Sequence, residues 1–264
     1  MGEFKRCRND VVVIGEVSSG LTLDHIRKNL KLHSFKIGVE RYSGIVDEIP
    51  ILISDITLKK TGISIEVGKK YKITGEFRSH NKWEETPMGM TSRLLLYVLV
   101  KDIEVYESSE TYLAISNSIE AQGYVVKVTP VRETPLGKKI MEVIIAINRA
   151  GKKSSYIPCI LWFPSEYLIK NLTTGKKVSF NGRIQSREYT KSIGIDEVEK
   201  KIAYEVSIQK LYIEDNEVNE NEEVVKWPLP FHILLYIKLK QNNITIFYDV
   251  FFSFHSYCAI FFSI

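Results

Sequence analysis

Short runs of β-branched and aromatic residues, bounded by Gly, Pro, Asn and Lys clusters, recur along most of the chain. They fall at 11–14, 45–53, 71–74 and 94–100, and then at 119–128, 140–147, 156–162, 177–184 and 202–211. Such composition suits strands rather than helices. Lys177-Val178-Ser179-Phe180 and Tyr204-Glu205-Val206-Ser207-Ile208 alternate polar with apolar, as a half-buried strand requires. Turn residues separate the runs, as in Thr134-Pro135-Leu136-Gly137 and Thr173-Thr174-Gly175-Lys176. A short helix is predicted around 165–171, between the third and fourth runs of the second group.

The two groups of strands are copies of one text. Asn9 to Gly15 (NDVVVIG) lines up with Asn117 to Gly123 (NSIEAQG) at an offset of 108, as do Arg41 with Arg149 and Ile49-Pro50 with Ile157-Pro158. One residue is then lost. Gly68-Lys69-Lys70 meets Gly175-Lys176-Lys177 at an offset of 107, followed by Gly75 with Gly182, Ser79 with Ser186 and Tyr97 with Tyr204. This period is domain-sized and too long for a solenoid. The reading is two modules, 7–107 and 114–214, each with about five strands and one helix. That inventory predicts an all-β protein of two tandem OB-fold modules, five-stranded Greek-key barrels.

Charge sharpens the division. The whole chain of 264 residues is only +4, but residues 214–223 hold six acids and no base. Everything from 214 onward carries 7 acids against 3 bases, so the first 213 residues are at +8. Beyond a predicted acidic linker at 215–226, residues 227–264 hold 11 of the 29 aromatics. This atypical tail is expected to be disordered or non-native.

Bases and aromatics interleave in the second module: Lys138, Lys139, Arg149, Lys152, Lys153, Tyr156, Trp162, Arg183, Arg187, Tyr189 and Lys191. Single-stranded nucleic acid needs cations along its phosphates and ring faces for its bases. A tyrosine or tryptophan in a strand belongs to a core more often than to a platform, and a lysine pair is usually a solvated face. The combination on one small barrel is what points to nucleic acid. TPLGKKIMEVIIAINRAGKKSSYIPCILW (134–162), GKKVSFNGRIQSREYTK (175–191) and AYEVSIQKL (203–211) resemble the bacterial single-stranded DNA-binding proteins. The likeness is to their duplicated, two-module form in low-GC Gram-positive bacteria, over about 9–213, strong in the second copy and loose in the first.

The resemblance implies OB-folds that bind single-stranded DNA without catalysis, in replication, recombination and repair, with replication and repair proteins as partners. It places stacking rings at Tyr156, Trp162 and Tyr189, with the Asn148-Arg149 region where a further ring stands in the family. In the first module the corresponding positions hold Glu48, Ser54 and Lys82, leaving Trp83 as a stacking candidate and Arg41 and Arg78 as phosphate contacts. The second module is therefore expected to carry most of the binding. Two departures stand out: Phe163-Pro164 follows Trp162 where relatives have Gly-Arg, and His80 replaces a frequent Tyr. Since ordinary members work as four barrels, two barrels per chain imply a homodimer.

Other classes are disfavoured. No Gly-rich phosphate loop, HExxH, GxSxG or paired-carboxylate signature is present, so the chain is not expected to be an enzyme or to need a cofactor or metal. Cys7, Cys159 and Cys258 are too scattered for a disulfide framework. With no apolar run behind Met1, this predicts a cytoplasmic, nucleoid-associated protein. Alternatives are an OB-type primosomal scaffold in which protein contacts dominate, or a single-stranded RNA binder. Three readings of the tail stay open: an acidic partner-docking tip recast around Pro228-Leu229-Pro230-Phe231, a membrane segment at 244–264, disfavoured by Asp249 and His255, or sequence not selected for folding.

Overall fold

Strand β1 (Asn9–Val17) alternates buried and exposed side chains, and β2 (Thr22–Arg27), exposed throughout, pairs with β3 (Leu30–Glu40). β4 (Val46–Ser54) follows, then the helix α1 (Asp55–Thr61), then a long hairpin of β5 (Lys70–Thr86) and β6 (Gly89–Val105). The pattern repeats as β7 (Asn117–Val128), the short β8 (Arg132–Glu133), β9 (Lys139–Arg149), β10 (Lys153–Trp162), α2 (Glu166–Asn171), and the hairpin of β11 (Lys177–Ser192) and β12 (Val198–Glu214). A last small hairpin joins β13 (Leu239–Gln241) to β14 (Ile244–Ile246). This computed structural model describes residues 5–86, 89–107, 116–192, 198–214, 239–241 and 244–246.

The first twelve strands form one sheet in the order β2-β3-β4-β6-β5-β1-β7-β11-β12-β10-β9-β8. It curls shut twice, where β1 also pairs with β3 and where β7 also pairs with β9, giving two OB-type barrels. Each barrel carries one short helix capped by a serine, Ser54 or Ser165, whose hydroxyl accepts an amide of the first turn. Residues 1–226 make one unit and 227–264 another. Most of the tail, its acidic approach and the candidate membrane segment lie outside the described residues, apart from the β13–β14 hairpin. Among the described residues, no helix is long and apolar enough to cross a membrane.

The duplication is visible atom by atom. The side-chain amide of Asn9 donates to Phe77 O (2.8 Å) and accepts from Phe77 N (3.0 Å), and Asn117 makes the same pair with Ile184 (2.6 and 2.9 Å). Gly75 and Gly182 sit at matching bulges, where a Cβ would stand 2.3 Å from Leu99 O or 2.4 Å from Ser207 O. Register corrects one match. Val98 and Val206 hold equivalent places beside Ile51 and Cys159, so the offset returns to 108 and Tyr97 corresponds to Glu205 instead of Tyr204.

The barrels meet at a seam of near two-fold symmetry. β1 and β7 pair antiparallel with Asn9 opposite Ala121, Val11 opposite Ile119 and Val13 opposite Asn117. Under the repeat Val11 corresponds to Ile119, so exchanging the modules maps these pairs onto one another, as in an isologous contact. Gln122 N donates to Arg8 O (3.0 Å) and, in the equivalent place, Ile14 N to Ser116 O (2.7 Å). Two further joints fix the hairpins: Tyr156 N donates to Ser79 Oγ (2.7 Å), and Ser186 N to the buried Asp47 carboxylate (2.6 Å).

Candidate nucleic-acid interface

Alternation along β10 decides which side chains enter the barrel and which leave it. Ile157, Cys159 and Leu161 point into the barrel and are buried, while Tyr156, Pro158, Ile160 and Trp162 share the other face. Residues paired across strands share a face. Ile160 pairs with Ser207 of β12, and β12 in turn pairs Ser207 with Arg183, Ala203 with Arg187 and Lys201 with Tyr189 of β11. The register therefore gathers Tyr156, Trp162, Arg183, Arg187, Tyr189 and Lys201 on one face, opposite the core residues Ile184, Val206 and Ile208, around a middle at Ile160, Gln185, Glu205 and Ser207 that is itself buried.

The rings are accessible to different degrees. Tyr156 is 49% exposed and Tyr189 38%, whereas Trp162 is half-buried with Lys138 Nζ 5.8 Å from its ring centroid, a cation–π distance. Six residues of strand put Tyr156 and Trp162 roughly 20 Å apart. Lys138 and Lys139 flank the Trp162 end, and Lys152 and Lys153 form the exposed β9–β10 turn near Tyr156. Arg187 is exposed, while Arg183 is half-buried, and burial together with nearby Arg41 holds its guanidinium below the ordinary arginine value. Lys191 lies on β11 opposite Glu199, but its side chain falls outside the described residues.

Other candidates are placed elsewhere. Arg41 makes a two-pronged pair with buried Asp47 (2.7 and 2.6 Å) and donates to Ser186 O (2.9 Å), which fastens the seam. Arg78 grips Glu76 at 2.9 and 2.7 Å. Trp83 is 63% exposed on the β5–β6 hairpin of the first barrel. Register confirms that Glu48, Ser54 and Lys82 occupy the first-module places of Tyr156, Trp162 and Tyr189, opposite Gly38, Leu32 and Arg93. Glu48 is paired with Lys36 (3.1 Å), and Ser54 is spent on capping α1.

The sequence reading overlooked Lys201, Arg27 and Tyr97. Lys201 carried a signal, since it stands across the hairpin from Tyr189; the other two join the second module only through the fold. Cys159 is buried in the barrel, where burial and then the nearby Glu205 push its thiol well up. Among the described residues no group of three His, Cys, Asp or Glu is placed to hold a metal ion.

Residues 116–213 match the single-strand binding protein family. No curated protein matches the chain. Among solved structures, the wild-type single-stranded DNA binding protein from Thermus aquaticus is similar at 14% identity and a TM-score of 0.61, over 82% of this chain and 98% of that one. A deletion mutant of the same protein gives 15% identity and a TM-score of 0.58, over 82% and 99%. The N-terminal domain of PriB protein from Thermoanaerobacter tencongensis is 32% identical over 38% of this chain and 98% of its own, with a TM-score of 0.32. The stretch that matches the single-strand binding protein family, residues 116–213, spans nearly the whole second barrel, and the paired OB barrels share the fold of the Thermus aquaticus protein.

Proposed function

We propose that the protein binds single-stranded DNA without sequence preference and without catalysis, mainly on the outer face of the second module. The observation that carries this is the register that gathers Tyr156, Trp162 and Tyr189 with Arg183 and Arg187 on one face. Rings stack bases of any identity, and cations follow the phosphates. Lys138, Lys139, Lys152, Lys153 and Lys191 border the same path. Coating of exposed strands serves replication, recombination and repair, and a homodimer of this two-module chain supplies four barrels.

Anisotropy of dye-labelled oligo-dT tests the reading on the full chain. Tyr156→Ala and Trp162→Ala each remove a stacking face, at about 1–3 kcal/mol, or roughly 5- to 150-fold in affinity. Affinity should also fall steeply with salt as counterions are released. Unchanged affinity in both variants would overturn the stacking assignment.

A further inference from the structure

The near two-fold seam carries different charges on its two sides. On one side Arg41 is neutralised by the carboxylate of Asp47, which also binds Ser186 N and Oγ. The repeat places Arg149 where Arg41 stands, but Asp47 is matched by Ser155. Arg149 consequently lacks that counter-ion. Its Nη2 reaches only a 3.4 Å contact with Ser154 O, and its Nε is buried with no hydrogen-bond partner among the described residues.

The surroundings make this a place of crowded positive charge. Burial first, then Arg78, hold the Arg149 guanidinium below the ordinary arginine value, with Arg27 adding to the effect and Tyr97 and Glu76 opposing it. Tyr97 lies amid Arg78, Arg149 and Arg27, and its ring meets His80 edge-on at 6.2 Å. The carboxylates nearby are already engaged. Glu76 receives Arg6 (2.7 Å), Arg78 (2.7 Å) and Lys101 (3.2 Å), and Asp24 contacts His25 at 2.5 Å. The exposed ring of Tyr156 stands at this same joint, because its own amide is held by Ser79 of β5.

We infer that this open side of the seam is a composite anion site, in which Arg149 of the second module and Arg27 and Lys82 of the first hold a phosphodiester of the strand leaving Tyr156, while Arg78 stays clamped on Glu76. The inference rests on the single-strand reading and extends it: the DNA crosses the seam onto the β5–β6 hairpin, where exposed Trp83 lies further along. The opposite side of the seam is sealed by Asp47.

The test uses the full chain with two labelled oligo-dT probes. One of roughly eight nucleotides stays within a single module's span, and one of roughly thirty reaches across. Arg27→Gln with Lys82→Gln removes two exposed cations outside the second module. It should weaken the long probe about fivefold or more and lower its salt slope by about 0.7 for each phosphate no longer neutralised, leaving the short probe nearly unchanged. Ser155→Asp, which installs the missing carboxylate, should act in the same direction on the long probe, with urea denaturation confirming that the variant is folded. If both variants leave the long probe and its salt slope unchanged while Tyr156→Ala still weakens binding, the seam site is wrong. Loss of the effect of Tyr156→Ala itself would instead defeat the reading of the second-module face.

Discussion

Asn9 and Asn117 show how one side chain can stand in for a strand. Each amide donates to and accepts from the backbone of a single residue, Phe77 or Ile184, just past the bulge where the hairpin bends away. No apolar residue can do this, and aspartate would supply acceptors only. Asn9→Leu leaves the N–H and C=O of Phe77 buried without partners, at about 1–3 kcal/mol each. We expect a loss of about 3 kcal/mol in urea denaturation, and a loss under about 1 kcal/mol would show that the bonds are replaced by other interactions. The repeat exposed the recurrence of these asparagines, because each opens its aligned segment. Their partners are some 68 residues away in sequence and follow only from the fold. Single residues also set the asymmetry of the two faces: Tyr156 and Trp162 are rings where Glu48 pairs with Lys36 and Ser54 caps α1, a difference of residue type legible from the aligned text alone.

At the scale of elements, the sequence pattern revealed strands wherever one face is buried and hid them elsewhere. β2 is exposed on every residue, so it offers no alternation to read, and β3 is broken by the half-buried His33 and Ser34. The hairpin β5–β6 extends well past the run at 71–74 because Asn81, Lys82 and Trp83 are exposed on both faces beyond the barrel. What steadies the root of that hairpin is the buried Glu76. Burial pushes its carboxyl pKa up, but hydrogen bonds and charge from Arg78 and Lys101 outweigh this and set it below the ordinary 4.5. A lowered carboxylate pKa stabilises the fold above the ordinary value, and the contribution drains away as pH falls through 4.5 toward the folded-state value. Glu76→Gln should therefore be less stable than the parent at neutral pH and lose less on acidification. Parallel losses in the two proteins, read from urea midpoints at neutral pH and at pH values below 4.5, would contradict the clamp.

For the molecule as a whole, the two modules meet at a seam inside one chain that has the symmetry of an isologous contact. The sequence exposed the two copies, but the seam escaped it because its residues are ordinary strand text: Val11 and Ile119 look like any core positions until β1 and β7 are seen side by side. The expectation that each half can be judged alone changes accordingly. Residues 1–107 and 116–214, made as separate chains, would each expose the edge of β1 or β7, an apolar strand that templates pairing. Self-pairing is geometrically open to both halves because the contact is isologous. A first-module homodimer would offer Asp47 the matching Ser79 in place of Ser186, but it would also set the acid Glu76 beside Asp47 where Arg183 now stands, and a second-module homodimer would set Arg183 beside Arg149 with Ser155 in place of Asp47. Co-expressed halves should therefore elute as a one-to-one complex in size-exclusion chromatography with light scattering. Asp47→Ala should erode that preference, since removing one member of a buried pair costs about 3–5 kcal/mol. Halves that elute apart, or that pair with themselves as readily as with each other, would mean that the asymmetric charge at the seam does not decide how the barrels join.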